Sequence, residues 1–101
     1  MKIAINKCFG GFGLSKELYE ELGIKWDNYG YLDNDDLGIT SDNYLAYRSD
    51  QRLIAAIEKI GEDRASGKMA KVRIVDIPDG IEWELDEYDG IESIHEVHRS
   101  W

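Results

Sequence analysis

Cysteine occurs once in this sequence, as Cys8, and proline once, as Pro78. A single thiol excludes a disulfide within the chain and suits a reducing cytoplasm. One proline and the lack of any low-complexity tract argue against extended disorder. No apolar run comes near the roughly 20 residues that a membrane span requires. The opening Met1-Lys2-Ile3-Ala4-Ile5 is too short for a secretion signal and carries no cleavage-like site. Positive charge is scarce as well: 12 lysines and arginines against 21 acidic residues leave a formal charge of −9. That imbalance favours solubility and disfavours non-specific nucleic-acid binding, which needs basic patches. One basic pocket for a small anion remains compatible with it.

What is present fits one globular domain, residues 1–101, with 43% apolar and 11% aromatic residues. A chain of this size buries roughly two thirds of its unfolded surface. KIAINK, residues 2–7, alternates apolar and polar positions and predicts a first strand with Ile3 and Ile5 on one face. Gly10, Gly11 and Gly13 end it. Ser15 is a good N-cap, Glu17 favours the positive helix end, and Leu14 with Tyr19 have staple spacing. With Leu14, Leu18 and Leu22 four apart and Gly23 as a stop, a helix is predicted over Lys16–Leu22.

Residues 26–48 mix aromatic side chains with Asp, Asn and Gly and read as turns, with room for a short strand near Tyr44–Tyr47. So long a connection is unusual in a compact domain and often functional. Ser49 or Asp50 then caps a helix whose apolar face is Leu53, Ile54, Ile57 and Ile60, ending at Gly61. GEDRASGK reads as a polar loop. AKVRIVDI and IEWEL follow as strands, and Pro78-Asp79-Gly80 between them predicts a hairpin. Ile81, Trp83 and Leu85 would be its buried face, with Glu82, Glu84 and Asp86 wet. Asp89 would cap a last helix, GIESIHEVHRSW, with Ile91, Ile94, His98 and Trp101 on one side. The expected fold is α+β: a small antiparallel sheet with flanking helices, the last of them C-terminal.

Two groups of residues could bind something. Strand, glycine loop and capped helix form the generic layout for anion capture, because free N–H groups and the helix dipole point at the loop. Gly10-Gly11-Phe12-Gly13 matches neither a dinucleotide fingerprint nor a P-loop, however. The residues alone favour a tight strand-to-helix corner with Phe9 and Phe12 in the core, and Cys8 as a small buried filler. At the C-terminus, His95, His98 and Arg99 could meet a phosphate or a base, or simply balance a negative helix end. No metal site is expected: two histidines three apart lack further ligands. DNDDLG opens like a calcium loop but places Leu37 and Tyr44 where ligands are required. Glu82, Glu84 and Glu87 read as a solvated strand face, and no nucleophile–base arrangement has supporting spacing. No enzyme and no cofactor are expected.

KCFGGFGLS near the start, RSDQRLIAAIEKIG in the middle and IPDGIEWELDEYDGIESIHEVHRSW at the end together resemble a family of small proteins encoded by bacteriophages and prophages. The layout is also similar to the Thoeris anti-defence sponge proteins of the first type described. That resemblance implies a non-enzymatic homo-oligomer that binds a cyclic ADP-ribose signal between protomers and holds it uncleaved. Such a ligand needs pyrophosphate donors, planar groups for adenine and polar groups for ribose. The residues able to supply them are Phe9, Gly10, Gly11 and Phe12 of the loop, Arg48, Arg73 and Arg99 for phosphate, Asn6 and Asp89 for hydroxyls, and His95 for stacking. The partner expected is thus a small cyclic nucleotide, with no membrane and no nucleic acid. The alternative is an acidic phage inhibitor that binds a host protein directly through residues 27–50.

Overall fold

The computed structural model describes residues 1–97. It contains four strands, β1 (Lys2–Asn6), β2 (Val72–Asp76), β3 (Trp83–Tyr88) and β4 (Ile91–Glu96). Three helices accompany them, α1 (Lys16–Leu22), α2 (Gln51–Ile60) and the short α3 (Glu62–Ala65). Two single 3₁₀ turns, Asp35–Leu37 and Ala46–Ser49, punctuate the long connection. The chain is an α+β protein, as expected.

The helices follow their local signals. The Ser15 hydroxyl accepts from the Leu18 N–H at 3.1 Å and donates to the Arg64 carbonyl at 2.6 Å, so one side chain starts α1 and ties it to α3. Gly23 closes α1 in the left-handed region, φ 73°. Asp50 rather than Ser49 caps α2, taking the Arg52 N–H at 2.9 Å. The α2 stripe predicted from spacing is the one that packs: Leu53, Ile54 and Ile57 are buried, and Ile60 lies against the same core. There they meet Leu14, Leu18 and Tyr19 from the first helical segment and Val72 from β2. Burial of each such side chain contributes about 1.5–3 kcal/mol relative to exposure. GEDRASGK, read as loop, contains α3, whose Ala65 is fully buried. Near Tyr44–Tyr47 the backbone forms a 3₁₀ turn instead of a strand.

Strand pairing departs from expectation. β2 does not pair with β3 around Pro78-Asp79-Gly80. It runs antiparallel to β1, with Asn6 opposite Val72 and Lys2 opposite Asp76. β3 pairs instead with β4, Glu84 opposite His95 and Tyr88 opposite Ile91. Residues 91–96, predicted as part of a C-terminal helix, are therefore a strand; the rest of that predicted helix, with His98, Arg99 and Trp101, lies outside the described residues. The cause is Asp89-Gly90. Both take positive φ, 50° and 92°, which is the two-residue turn whose twist matches a hairpin. Once that turn forms, Ile94 faces Leu85 across the pair, and period-two alternation overrides the helical reading.

β1 is buried along Ile3–Asn6, yet β2 covers only one of its edges. The other edge is completed by side chains. The Arg48 guanidinium donates to the Ala4 carbonyl at 3.2 Å, and the Asn6 N–H donates to Glu92 Oε1 at 2.8 Å. Arg48 and Glu92 thus stand where a third strand would supply backbone groups, and they pair the Ala4 carbonyl and the Asn6 N–H on that edge.

Candidate functional site

Three loops converge at the end of the β1–β2 sheet: the glycine loop 8–13, the turn 67–70, and the β3–β4 turn at Asp89-Gly90. The Gly10 N–H donates to the Asp89 carbonyl at 3.2 Å, and the Gly67 N–H donates to the Gly13 carbonyl at 2.9 Å. Packing is so close that a Cβ on Gly90 would sit 2.4 Å from the Gly10 nitrogen and 2.5 Å from that of Gly11. Glycine at 90 serves both the left-handed turn and this backbone-to-backbone approach.

Asn6 is the clamp beneath the loops. Its amide donates to the Cys8 and Gly90 carbonyls, both at 2.7 Å, and its Oδ1 accepts from the Lys71 N–H at 2.9 Å and the Cys8 N–H at 3.3 Å. All four hydrogen-bonding positions of the side chain are used internally, which leaves none for a ribose hydroxyl. Arg48 is committed as well. Its two terminal nitrogens hold Glu92 in a fork at 2.6 and 3.0 Å, its Nε donates to the Tyr47 hydroxyl at 2.8 Å, and its carbon lies 3.6 Å from the Phe12 ring centre. Burial alone would lower the guanidinium's pKa, but the hydrogen bonds it donates to Glu92 and Tyr47, with their charge attraction, outweigh it and leave the value raised. Arg48 and Glu92 are only 4% and 5% exposed. Together with Phe12, they form the interior floor of the loop cluster and offer nothing to an outside phosphate.

The remaining expected residues divide. Phe9 is 59% exposed, whereas Phe12 is buried, so the corner reading holds for one ring and fails for the other. Gly10 and Gly11 lie at the surface beside Phe9 with φ of 121° and 102°. Among the described residues the Gly11 N–H has no internal partner. Asp89 is exposed next to Gly10. Arg73 lies elsewhere, its guanidinium 3.0 Å from Asp63 at the foot of α3. His95 lies between Glu84 and Asp86, at 3.2 and 2.8 Å, on the outer face of the β3–β4 pair. Arg99 is outside the described residues. The glycine loop therefore brings Phe9, Gly10, Gly11 and Asp89 together and leaves Arg73 and His95 apart from them.

Sequence reasoning passed over the lysines. The Lys7 N–H donates to the Lys71 carbonyl at 2.8 Å, continuing the register of β1 and β2, so the two lysines stand opposite one another at the sheet's end. Lys68 lies in the 67–70 turn, next to Met69, whose carbonyl approaches Gly10. All three are exposed. The available signal was proximity: Lys7 adjoins the loop, and Lys68-Met69-Ala70-Lys71 is a basic run in an acidic chain. A cleft of about 500 Å³ lies at the opposite end of β1, lined by Met1, Lys2, Ile54 and Asp79. Among the described residues no group of three His, Cys, Asp or Glu side chains could hold a metal, and no helix is long and apolar enough to cross a membrane. No protein-family model, curated protein or solved structure matches the chain.

Proposed function

We propose that this chain is a phage anti-defence protein that binds and sequesters a cyclic nucleotide signal of the cyclic ADP-ribose type without cleaving it. The observation that carries the reading is the glycine loop's surface. The exposed ring of Phe9 lies two residues from Gly11, whose N–H has no partner among the described residues, and the exposed Asp89 is tied to the same loop through its carbonyl and the Gly10 N–H. A ring offers a stacking face for adenine, typically worth about 1–3 kcal/mol per base. A free amide offers a donor to a phosphate oxygen, and a carboxylate offers acceptors to ribose hydroxyls. The buried clamp of Asn6, Arg48 and Glu92 holds the loop in place before any ligand arrives, which reduces the ordering cost of binding. One loop encloses a small molecule on one side only, so a second protomer completes the pocket in this reading. Native mass spectrometry with and without cyclic ADP-ribose isomers tests it. The expected result is an oligomer carrying bound nucleotide that is released chemically unchanged on heating. A hydrolysed product, or no bound mass at any subunit stoichiometry, would refute the proposal.

A second reading has its own observation. Tyr29, Tyr31 and Tyr44 are exposed on the long connection, among Asp27, Asp33, Asp35 and Asp42. Exposed tyrosines within an acidic segment suit a basic host-protein surface. A complex of that kind weakens steeply as salt rises. A pull-down from host lysate at low salt that recovers no protein would remove it.

A further inference from the structure

We infer that Lys7, Lys71 and Lys68 form the phosphate seat of the glycine-loop site, and that its ligand carries two linked phosphates or an equivalent doubly charged group. This rests on the small-ligand reading above and supplies the cations that Arg48 and Arg73 do not. Lys2, Arg48, Arg52, Lys59, Arg64 and Arg73 each hold a carboxylate. In a chain with 21 acidic residues, a cation without such a partner is the less expected case. Among the described residues Lys7, Lys68 and Lys71 have none; Lys16 and Lys25, on and beyond α1, are the other two.

The placement of Lys7 and Lys71 matters more than their number. Like charges directly opposite in an antiparallel pair repel and destabilise it. Here they extend the β1–β2 sheet, which contributes Ala4 and Val72 to the core, at a rung where a single polar residue would avoid the cost. An anion between the two ammonium groups converts that repulsion into attraction. The same rung leads straight into the glycine loop, because Lys7 is followed directly by Cys8, Phe9 and Gly10. Lys68 approaches from the adjoining turn, which is pinned to the loop through Gly67 and Gly13. Asp89 is exposed on the turn tied to Gly10, and a carboxylate at this end of the sheet disfavours a bare anion and favours one that also presents hydroxyls. A diphosphate linked to sugars meets both conditions.

The test is a titration of the full chain with inorganic pyrophosphate at low ionic strength, followed by amide NMR shifts. Saturable shifts are expected at Lys7, Gly10, Gly11 and Met69. The paired variant Lys7→Gln/Lys71→Gln should bind roughly tenfold more weakly, the loss of two partly screened charge contacts. Both side chains are exposed, so the circular dichroism spectrum should be retained, and relief of their mutual repulsion should leave the melting midpoint equal to or slightly above that of the wild type. The control variant Lys16→Gln/Lys25→Gln should bind as the wild type does. Equal weakening by both pairs, or no weakening by the first, overturns the lysine seat. A cyclic nucleotide that binds but is not displaced by pyrophosphate also overturns it while leaving the proposed function standing. Pyrophosphate binding at the lysines with no nucleotide binding upholds the seat and refutes the sponge.

Discussion

Removing Glu92 should strongly destabilise this protein, and the size of the effect follows from its partners. Its two carboxylate oxygens receive the Arg48 fork, and one of them also receives the Asn6 N–H. Glu92→Ala leaves a guanidinium that is 4% exposed without its counter-charge, and orphans a backbone donor on β1. Breaking a buried pair from one side typically costs about 3–5 kcal/mol. Domains of this size have a total stability of about 5–15 kcal/mol. At the lower end of that range the loss removes most of the stability, and at about 4–8 °C per kcal/mol the melting midpoint should fall by more than ~12 °C. Arg48→Met should cost a similar amount, since it strands the carboxylate and the Ala4 carbonyl. The double variant Arg48→Met/Glu92→Leu removes both charges and takes these partners from the Ala4 carbonyl, the Asn6 N–H and the Tyr47 hydroxyl, about 1–3 kcal/mol each. It should be far less damaging than the two single losses added together. The assay is urea unfolding followed by the fluorescence of Trp26, whose ring packs edge-on against Tyr19 at 5.0 Å. Single variants that lose under ~1 kcal/mol, or a double variant that loses the plain sum, would show that the pair does not complete the β1 edge.

Gly90→Ala should destabilise by clearly more than Gly23→Ala, because both have positive φ but only Gly90 abuts backbone nitrogens. The strain alone is worth about 1–3 kcal/mol, and equal losses at the two sites would contradict the close-approach argument. Asp50→Ala should cost about 1 kcal/mol by loss of the α2 cap. The Asp50 pKa is held below the ordinary carboxylate range, chiefly by the Arg52 side chain against an opposing burial effect, with help from the Arg52 N–H. Its stabilisation is thus complete above the unfolded carboxyl value and disappears as pH falls through the lower folded value. The stability gap between wild type and Asp50→Ala should narrow between about pH 5 and about pH 2, and a constant gap in urea midpoint would refute this. Phe9→Ala should leave stability within ~0.5 kcal/mol, since the ring is largely exposed. It should also weaken nucleotide binding by about 1–3 kcal/mol in calorimetry, and unchanged affinity would remove the stacking role.

What the sequence by itself determined were the features written in a few neighbouring residues. Ser15 and Gly23 bound α1, Asp50 and Gly61 bound α2, and the stripe Leu53, Ile54 and Ile57 names the buried side, because capping and helical periodicity act within one or two turns. The β3–β4 hairpin was also legible. Asp89-Gly90 lies between alternating runs, but an aspartate there also suits a helix cap, and Pro78-Asp79-Gly80 offers a competing turn. Only the tertiary structure decided which strands pair and what completes β1. Arg48 and Glu92 are 44 residues apart, and each alone resembles a surface charge on a turn or a strand. Their attraction exists only after the fold removes both from water and places them against the open edge of one strand. For the same reason Phe9 and Phe12, three positions apart in one loop, end on opposite sides of the surface. Sequence spacing fixes how far apart two side chains lie along the chain, whereas burial depends on which distant segments arrive to cover them.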